Sequence, residues 1–410
     1  MILNGLVLAA STTAARLAGS LGLFALAARG FGPGLFSEFA YAYAIGVFAG
    51  AMSDYGFAAQ VIKDCSGTPV QAASAVANKL FTSKCLSSFL AFILGTAYLV
   101  TTGASSDLPA ATLIVFSGVQ TSLIDFNSSI LKSRLCFKQD LLTTMVNSVV
   151  FNILAGAVAF FSKSILLTSL VLVLGRTVSL RQSISGIKNA SGIHLTFPFR
   201  INLSSFFQQL KNGISYAVDS FAIQGFAALD TFAAKHLLLQ ADAGIYLTGT
   251  RLTQAALSGH AVISSVFLPS IGPGQWSSKV KIKRVIAMAV SASAAGFFIF
   301  FIFTAARTWL PEIIFGKAFS ELSHVLPYFG IYVLMRYVNI LPTSWLTMNG
   351  RQHVRTRINL GTLLAAALAI IVVQPDTQLL LIQIMCATTS FNTLIQYTTW
   401  IIISKPPQRA

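Results

Sequence analysis

The chain consists mainly of long apolar runs, separated by short segments rich in Gly, Pro and charge. A helix needs about 20 apolar residues to cross the hydrocarbon core of a bilayer, and each run approaches that length. The runs therefore predict twelve transmembrane helices. The predicted spans are 3–27, 38–61, 80–101, 109–131, 141–161, 165–187, 212–235, 244–269, 285–306, 324–347, 357–374 and 378–403. The first run lacks a preceding basic segment and contains Arg16, so we interpret it as a span rather than a cleavable signal.

Composition supports an all-α integral membrane protein. Hydrophobic residues make up 55% of the chain, charged residues only 10%, and the mean hydropathy is +0.73. A soluble domain carries about 25% charged residues, so a soluble fold of this composition is excluded. The net charge is +16, and the charged residues lie mostly between the apolar runs. This distribution indicates the orientation of the chain in a membrane and not a nucleic-acid partner.

Basic residues alternate between the two sides of the predicted membrane. Connections and span ends on one side carry 19 of the 28 Lys and Arg residues, and those on the other side carry 5. Basic residues concentrate on the cytoplasmic side of membrane proteins. We therefore expect both termini to be cytoplasmic, in a bacterial inner membrane.

The two halves of the chain resemble each other weakly. Asn4-Gly5 and Asn212-Gly213 open the first and seventh spans, and Gly34-Leu35-Phe36 and Gly244-Ile245-Tyr246 open the second and eighth. This repeat predicts two six-helix lobes, related by a pseudo-two-fold axis along the membrane normal, with a central cavity. The expected parts are an N-terminal lobe (1–187), a cytoplasmic linker (188–211), a C-terminal lobe (212–403) and a cytoplasmic tail (404–410).

Four arginines remain inside the predicted spans, and each has polar residues at helical spacing. A buried charge is costly in a membrane, so such residues normally face a bundle interior or a wet cavity. The stripes are Arg16 with Thr13 and Ser20; Arg176 with Ser169, Ser179 and Ser183; Arg251 with Thr248, Gln254 and Ser258; and Arg336 with Tyr332, Asn339 and Thr343. We expect Arg16, Arg176, Arg251, Arg336, Tyr332, Gln254 and Asn339 to bind an anionic, hydroxyl-rich substrate.

Four aspartates also fall within spans and are candidate ion-coupling groups. Asp219 and Asp230 share one face of the seventh span with Asn212 and Ser215. Asp125 lies among hydroxyl side chains on the fourth span, and Asp54 lies within the second. A carboxylate in a hydrated cavity can take up a proton or a sodium ion. A structural alternative stays open, in which the four Arg and four Asp pair as buried salt bridges.

The sequence lacks the residue spacings that metal sites and common cofactor sites require. Cys65, Cys85, Cys136 and Cys386 form no CxxC pair, and the five His residues make no metal-ligand spacing. The sequence has no phosphate-binding Gly-rich loop. We therefore expect no cofactor and no metal, with a coupling proton or sodium ion as the energy source.

Four stretches carry a family resemblance. They are GFGPGLFSEFAYAYAIGVFAGAMSDYGFAAQVIKD (Gly30 to Asp64), LDTFAAKHLLLQADAGIYLTGTRLTQ (Leu229 to Gln254), LPEIIFGKAFSELSHVLPYF (Leu310 to Phe329) and NGRQHVRTRINL (Asn349 to Leu360). In order and spacing they resemble the Wzx-type polysaccharide flippases of the multidrug/oligosaccharidyl-lipid/polysaccharide exporter superfamily.

This resemblance implies a non-enzymatic transporter that moves an undecaprenyl-pyrophosphate-linked oligosaccharide from the cytoplasmic to the periplasmic leaflet. O-antigen, capsule or exopolysaccharide assembly would be its setting. The implied partners are the polyprenyl-pyrophosphate substrate, membrane lipids, a polysaccharide polymerase and chain-length proteins. A cation-coupled multidrug exporter of the same superfamily is the main alternative, and a membrane polysaccharide polymerase or ligase is a weaker one.

Overall fold

A computed structural model describes residues 2–103, 107–196, 203–271 and 278–404, and every regular element in these ranges is helical. The chain divides into two compact units, Met1–Gln224 and Gly225–Ala410. The boundary between them falls inside one long helix, Leu203–Leu237. The lobe and linker limits given above stay a prediction.

The N-terminal unit contains seven helices, a π-helical segment and the first part of an eighth helix. They are α1 (Ile2–Asp54), α2 (Phe57–Cys65), α3 (Val70–Thr102), α4 (Leu108–Ser133), α5 (Phe137–Thr144), the π segment (Met145–Val150), α6 (Phe151–Ser162), α7 (Ile165–Ser191) and α8 (Leu203–Leu237). Because α5, the π segment and α6 follow one another without a break, they form the predicted fifth span.

Two predicted spans lie within α1, joined at Gly32. The backbone of Gly32 is non-helical (φ 70°, ψ 173°), a conformation that glycine adopts without a Cβ penalty. Pro33 follows and has no N–H to donate, which reinforces the break. The second span ends at Asp54 and not at residue 61. Tyr55 and Gly56 have left-handed backbones (φ 44° and 82°), and α2 begins after them.

The C-terminal unit contains the rest of α8 and the remaining helices. They are α9 (Gln240–Ile271), α10 (Ser278–Ala305), α11 (Trp309–Phe315), a 3₁₀ turn (Lys317–Phe319), α12 (Leu322–Val338), α13 (Ile340–Met348), α14 (Gln352–Val373) and α15 (Gln378–Ser404). α12 and α13 meet at Asn339 and together match the predicted tenth span.

Helix lengths and surfaces confirm a multi-pass membrane protein. Within the described ranges, nine helical stretches are long and apolar enough to cross a membrane. The stretch Ala10–Asp54 holds two predicted spans, so the nine account for ten of the twelve, and α8 and α9 match the other two. Large apolar side chains such as Phe161 (81% exposed) and Val372 (79%) lie on the surface, as expected for contact with lipid.

A close crossing of α1 and α4 positions the polar groups of the N-terminal unit. A Cβ atom added to Gly118 would lie 2.3 Å from the backbone of Gly46, and one added to Gly50 would lie 2.9 Å from the Gly118 carbonyl. Only glycines allow two helices to approach this closely. The crossing brings Ser53 of α1 within hydrogen-bond distance of Ser122 of α4.

Candidate functional site

A cavity of about 260 Å³ lies in the N-terminal unit beside this crossing. Two of the predicted coupling carboxylates, Asp54 and Asp125, line it. Hydroxyl and amide side chains complete its polar wall, among them Tyr43, Thr121 and Gln224. The structure thus brings two of the four predicted coupling carboxylates, Asp54 and Asp125, to one cavity, and their role in coupling stays a prediction.

The ammonium of Lys84 is the partner of Asp54. Lys84 lies on α3 and is completely buried (0% exposed). Its Nζ is 3.4 Å from Asp54 Oδ1, 3.1 Å from Ser53 Oγ and 2.6 Å from Ser122 Oγ. The three N–H donors of the ammonium therefore meet three oxygen acceptors.

The two serine hydroxyls are oriented by the backbone of α1. Ser53 Oγ and Ser122 Oγ each donate to the carbonyl of Gly50, at 2.7 Å in both cases. A hydroxyl that donates its proton still has two lone pairs to accept with. Gly50 therefore directs both hydroxyls so that they can accept from Lys84.

Asp125 has a different partner, Arg16 of α1. Asp125 Oδ1 lies 2.8 Å from Arg16 Nη2, and the two side chains are 44% and 38% exposed. This ion pair is therefore half-open, in contrast to the buried Lys84. A third acidic group, Asp140 of α5, is 1% exposed, accepts from Ser128 Oγ and lies 3.7 Å from Lys132 Nζ.

Arg176 is held inside the helix bundle of the N-terminal unit. It is 3% exposed. Its Nη1 donates to the carbonyl of Asn147 (2.8 Å) and to Asn147 Oδ1 (2.6 Å), and its Nη2 donates to Asn152 Oδ1 (2.7 Å). These bonds connect α7 to the π segment and α6, and Arg176 is not among the residues that line the cavity.

The C-terminal unit has a smaller cavity, of about 50 Å³. It brings together four of the predicted site residues, Asp230, Gln254, Tyr332 and Arg336. Asp230 accepts from the backbone N–H of Thr231 at 2.7 Å, and its Oδ2 is 3.4 Å from Tyr246 Oη.

One predicted arginine, Arg251, bonds to a residue that lines this cavity, and another, Arg336, lines the cavity itself. Arg251 is 6% exposed and its Nη1 donates to Gln254 Oε1 at 2.9 Å. Arg336 lines the cavity and is half-buried, and no carboxylate among the side chains that the structure describes lies within 4 Å of it. Asn339, one turn further along, is 8% exposed.

The pairing alternative is met for Arg16, which forms an ion pair with Asp125. Asp54 is paired as well, but with Lys84 and not with an arginine. Asp219 lies on α8, and its side chain is outside the described residues.

Two charged residues with buried side chains, Lys84 and Asp140, are not among the candidate residues that the sequence indicates. Lys84 lies close to the predicted start of the third span, at 80, whereas α3 begins at Val70 and places Lys84 well inside the helix. Ser87 and Ser88, at i+3 and i+4, are a polar signal that could have indicated its burial. Asp140 was overlooked because the predicted fifth span begins one residue later, at 141.

Comparison with known proteins identifies the family. A family described as "Polysaccharide biosynthesis protein" matches residues 2–275. No curated protein matches the chain significantly.

Solved structures with the same fold cover nearly the whole chain. A multidrug resistance MATE family transporter of the MOP superfamily in an inward-facing conformation has a TM-score of 0.63 at 12% identity, over 97% of this chain and 94% of that one. A eukaryotic MATE transporter has a TM-score of 0.63 at 12% identity, over 98% and 96%. A MOP superfamily transporter from Pyrococcus furiosus has a TM-score of 0.57 at 10% identity, over 98% and 94%.

At these identities the structural likeness establishes the fold alone. It confirms the expected all-α fold, which these MATE and MOP superfamily transporters share. The match over residues 2–275 establishes more: the chain belongs to the polysaccharide biosynthesis protein family, and its long apolar helices make it a multi-pass membrane protein.

Proposed function

We propose that the protein flips a polyprenyl-pyrophosphate-linked oligosaccharide from the cytoplasmic to the periplasmic leaflet by alternating access, for O-antigen, capsule or exopolysaccharide assembly. Membership of the polysaccharide biosynthesis family supports a cargo of this class. The polymerase and chain-length proteins of such a pathway are the proposed partners. Both termini are proposed to be cytoplasmic, in a bacterial inner membrane.

The proposal rests on one observation: Arg336 lines the C-terminal cavity and has no described carboxylate within 4 Å. A guanidinium binds phosphate oxygens through two parallel N–H bonds. Because no described carboxylate lies within 4 Å of Arg336, an entering pyrophosphate does not have to displace one. Gln254 and Tyr332 line the same cavity and provide amide and hydroxyl groups for sugar hydroxyls.

The test compares export with protein level in Arg336 variants. We expect Arg336→Gln to reduce surface-polysaccharide export at least about tenfold. Export by Arg336→Lys should be intermediate, because lysine keeps the charge but lacks the two parallel N–H donors of the guanidinium. Arg307→Gln is the matched control, since Arg307 is exposed and lies outside the cavity. Lipid-linked oligosaccharide should accumulate in the cytoplasmic leaflet at normal protein level. Export at the wild-type rate in Arg336→Gln would contradict the proposal.

A multidrug exporter is the second candidate, supported by the MATE transporters that share the fold. An organic cation would need an available carboxylate. Asp54 and Asp125 each already have a cationic side chain within 4 Å. Asp230, which lines the C-terminal cavity, has no cationic side chain within 4 Å among the described residues. Efflux of a fluorescent organic cation that Asp230→Asn abolishes would favour this function.

Coupling to a proton or sodium gradient is proposed to use the carboxylates of α8. We expect Asp219→Asn to leave membrane insertion intact and to abolish gradient-dependent transport in proteoliposomes. Asp230→Asn is the companion variant, because Asp230 lines the C-terminal cavity. Ion-driven transport at the wild-type rate in both variants would exclude α8 from coupling.

A further inference from the structure

The buried ammonium of Lys84 occupies a site built from hard oxygen atoms. Asp54 Oδ1, Ser53 Oγ and Ser122 Oγ surround its Nζ at 2.6–3.4 Å. A carboxylate with neutral oxygen ligands is also the kind of set that binds a hard metal cation. The same three oxygens could therefore hold either an ammonium or a monovalent metal ion.

These oxygens owe their positions to helices other than that of Lys84. Ser53 and Asp54 are at the end of α1, and Ser122 is on α4, whereas Lys84 enters from α3. The Gly46–Gly118 crossing brings the two hydroxyls together, and the Gly50 carbonyl, which belongs to α1, accepts from both of them. Truncating Lys84 should leave the oxygen site in place and without its cation.

We propose that Lys84 is the resident cation of the N-terminal unit, a tethered ammonium in a site that would otherwise bind a monovalent metal ion such as Na⁺. Asp54 is then unavailable to a coupling ion while Lys84 is present. Arg16 has the same effect on Asp125, the second carboxylate of the cavity, so a free cation finds neither carboxylate unpaired. The inference does not depend on which substrate the protein transports.

The experiment measures thermal unfolding of the purified full chain in detergent at constant ionic strength, with Na⁺ exchanged for choline. A ligand that binds only the folded state raises the Tm as its concentration rises. We expect the Tm of Lys84→Ala to rise by about 2–4 °C with Na⁺. The double variant Lys84→Ala/Asp54→Asn should show no rise, because the carboxylate ligand is lost.

Two controls separate this response from general effects of salt. Lys79→Ala removes an exposed lysine from the same helix and should behave as the wild type. A folded Lys84→Ala variant that does not respond to Na⁺ would overturn the proposal. If Lys84→Ala does not fold, wild type and Asp54→Asn decide: an equal Na⁺ response in both supports a resident ammonium, and a wild-type response that Asp54→Asn abolishes refutes it.

Discussion

The two units neutralise their charged groups in different ways. In the N-terminal unit, both carboxylates that line the cavity have a basic side chain within 4 Å. In the C-terminal unit, Arg251 bonds to an amide, and neither Arg336 nor Asp230 has an oppositely charged partner within that distance among the described residues. Each unit combines acidic and basic groups, so charge content alone does not distinguish them.

The difference lies in what a ligand must displace. A charge that is already paired loses its partner when a ligand binds, and this loss opposes binding. A guanidinium that contacts only neutral groups can bind a phosphate without such a loss. We therefore interpret the paired charges of the N-terminal unit as groups that hold its helices together. In the C-terminal cavity, the charges without an oppositely charged partner within 4 Å are interpreted as available for substrate.

The largest expected effect comes from separating Lys84 from Asp54. Asp54→Asn leaves a completely buried ammonium without its carboxylate, which should lower the free energy of unfolding by about 3 kcal/mol. The lower end of the usual range applies because Asp54 is 26% exposed. Replacing both residues, as Asp54→Asn/Lys84→Met, should restore most of the loss. Denaturant unfolding of the purified protein measures the change, and equal instability in both variants would show that the pair is not the cause.

The next effect contrasts one arginine from each unit. Arg176→Gln removes donors to three oxygen atoms on the π segment and α6, so we expect a loss of about 2–3 kcal/mol in unfolding free energy. Arg336→Gln should stay within about 0.5 kcal/mol of wild type, although it impairs export. The same unfolding assay, with membrane abundance, tests both. If Arg336→Gln is the less stable variant, the division between fixed and available charges fails.

The twelve helical segments could be predicted because crossing a membrane depends on local hydropathy. Predicted limits were less accurate where the backbone breaks, as at Tyr55, whose positive φ follows from the chain's turn into α2 and not from its own residue type. The beginning of α3 at Val70, ten residues before the predicted span, moved Lys84 from a span end to the interior.

Partners of the buried charges could not be predicted from one sequence. The predicted polar stripe around Arg176 consists of serines on its own helix. The guanidinium of Arg176 instead donates to Asn147 and Asn152 on neighbouring segments. Helical periodicity shows which side chains share a face, but it does not show what another helix presents to that face. Arg16 and Asp125 were both predicted to lie within spans, and their contact depends on how α1 packs against α4.

The smallest expected effect concerns the Arg16–Asp125 pair, and it tests whether burial distinguishes the two ion pairs of the N-terminal unit. Both side chains are more than a third exposed, so solvent screens their attraction, and pairs of this kind contribute about 0.2–1 kcal/mol. A double-mutant cycle with Arg16→Gln and Asp125→Asn should therefore give a coupling energy below about 1 kcal/mol. That energy should fall as NaCl is raised, because the Debye length shortens from about 10 Å at 0.1 M to about 3 Å at 1 M. The coupling between Lys84 and Asp54, measured in the same way, should change less, since a buried ammonium is screened less. A coupling above about 3 kcal/mol for Arg16 and Asp125, insensitive to salt, would mean that this pair is as fixed as the buried one.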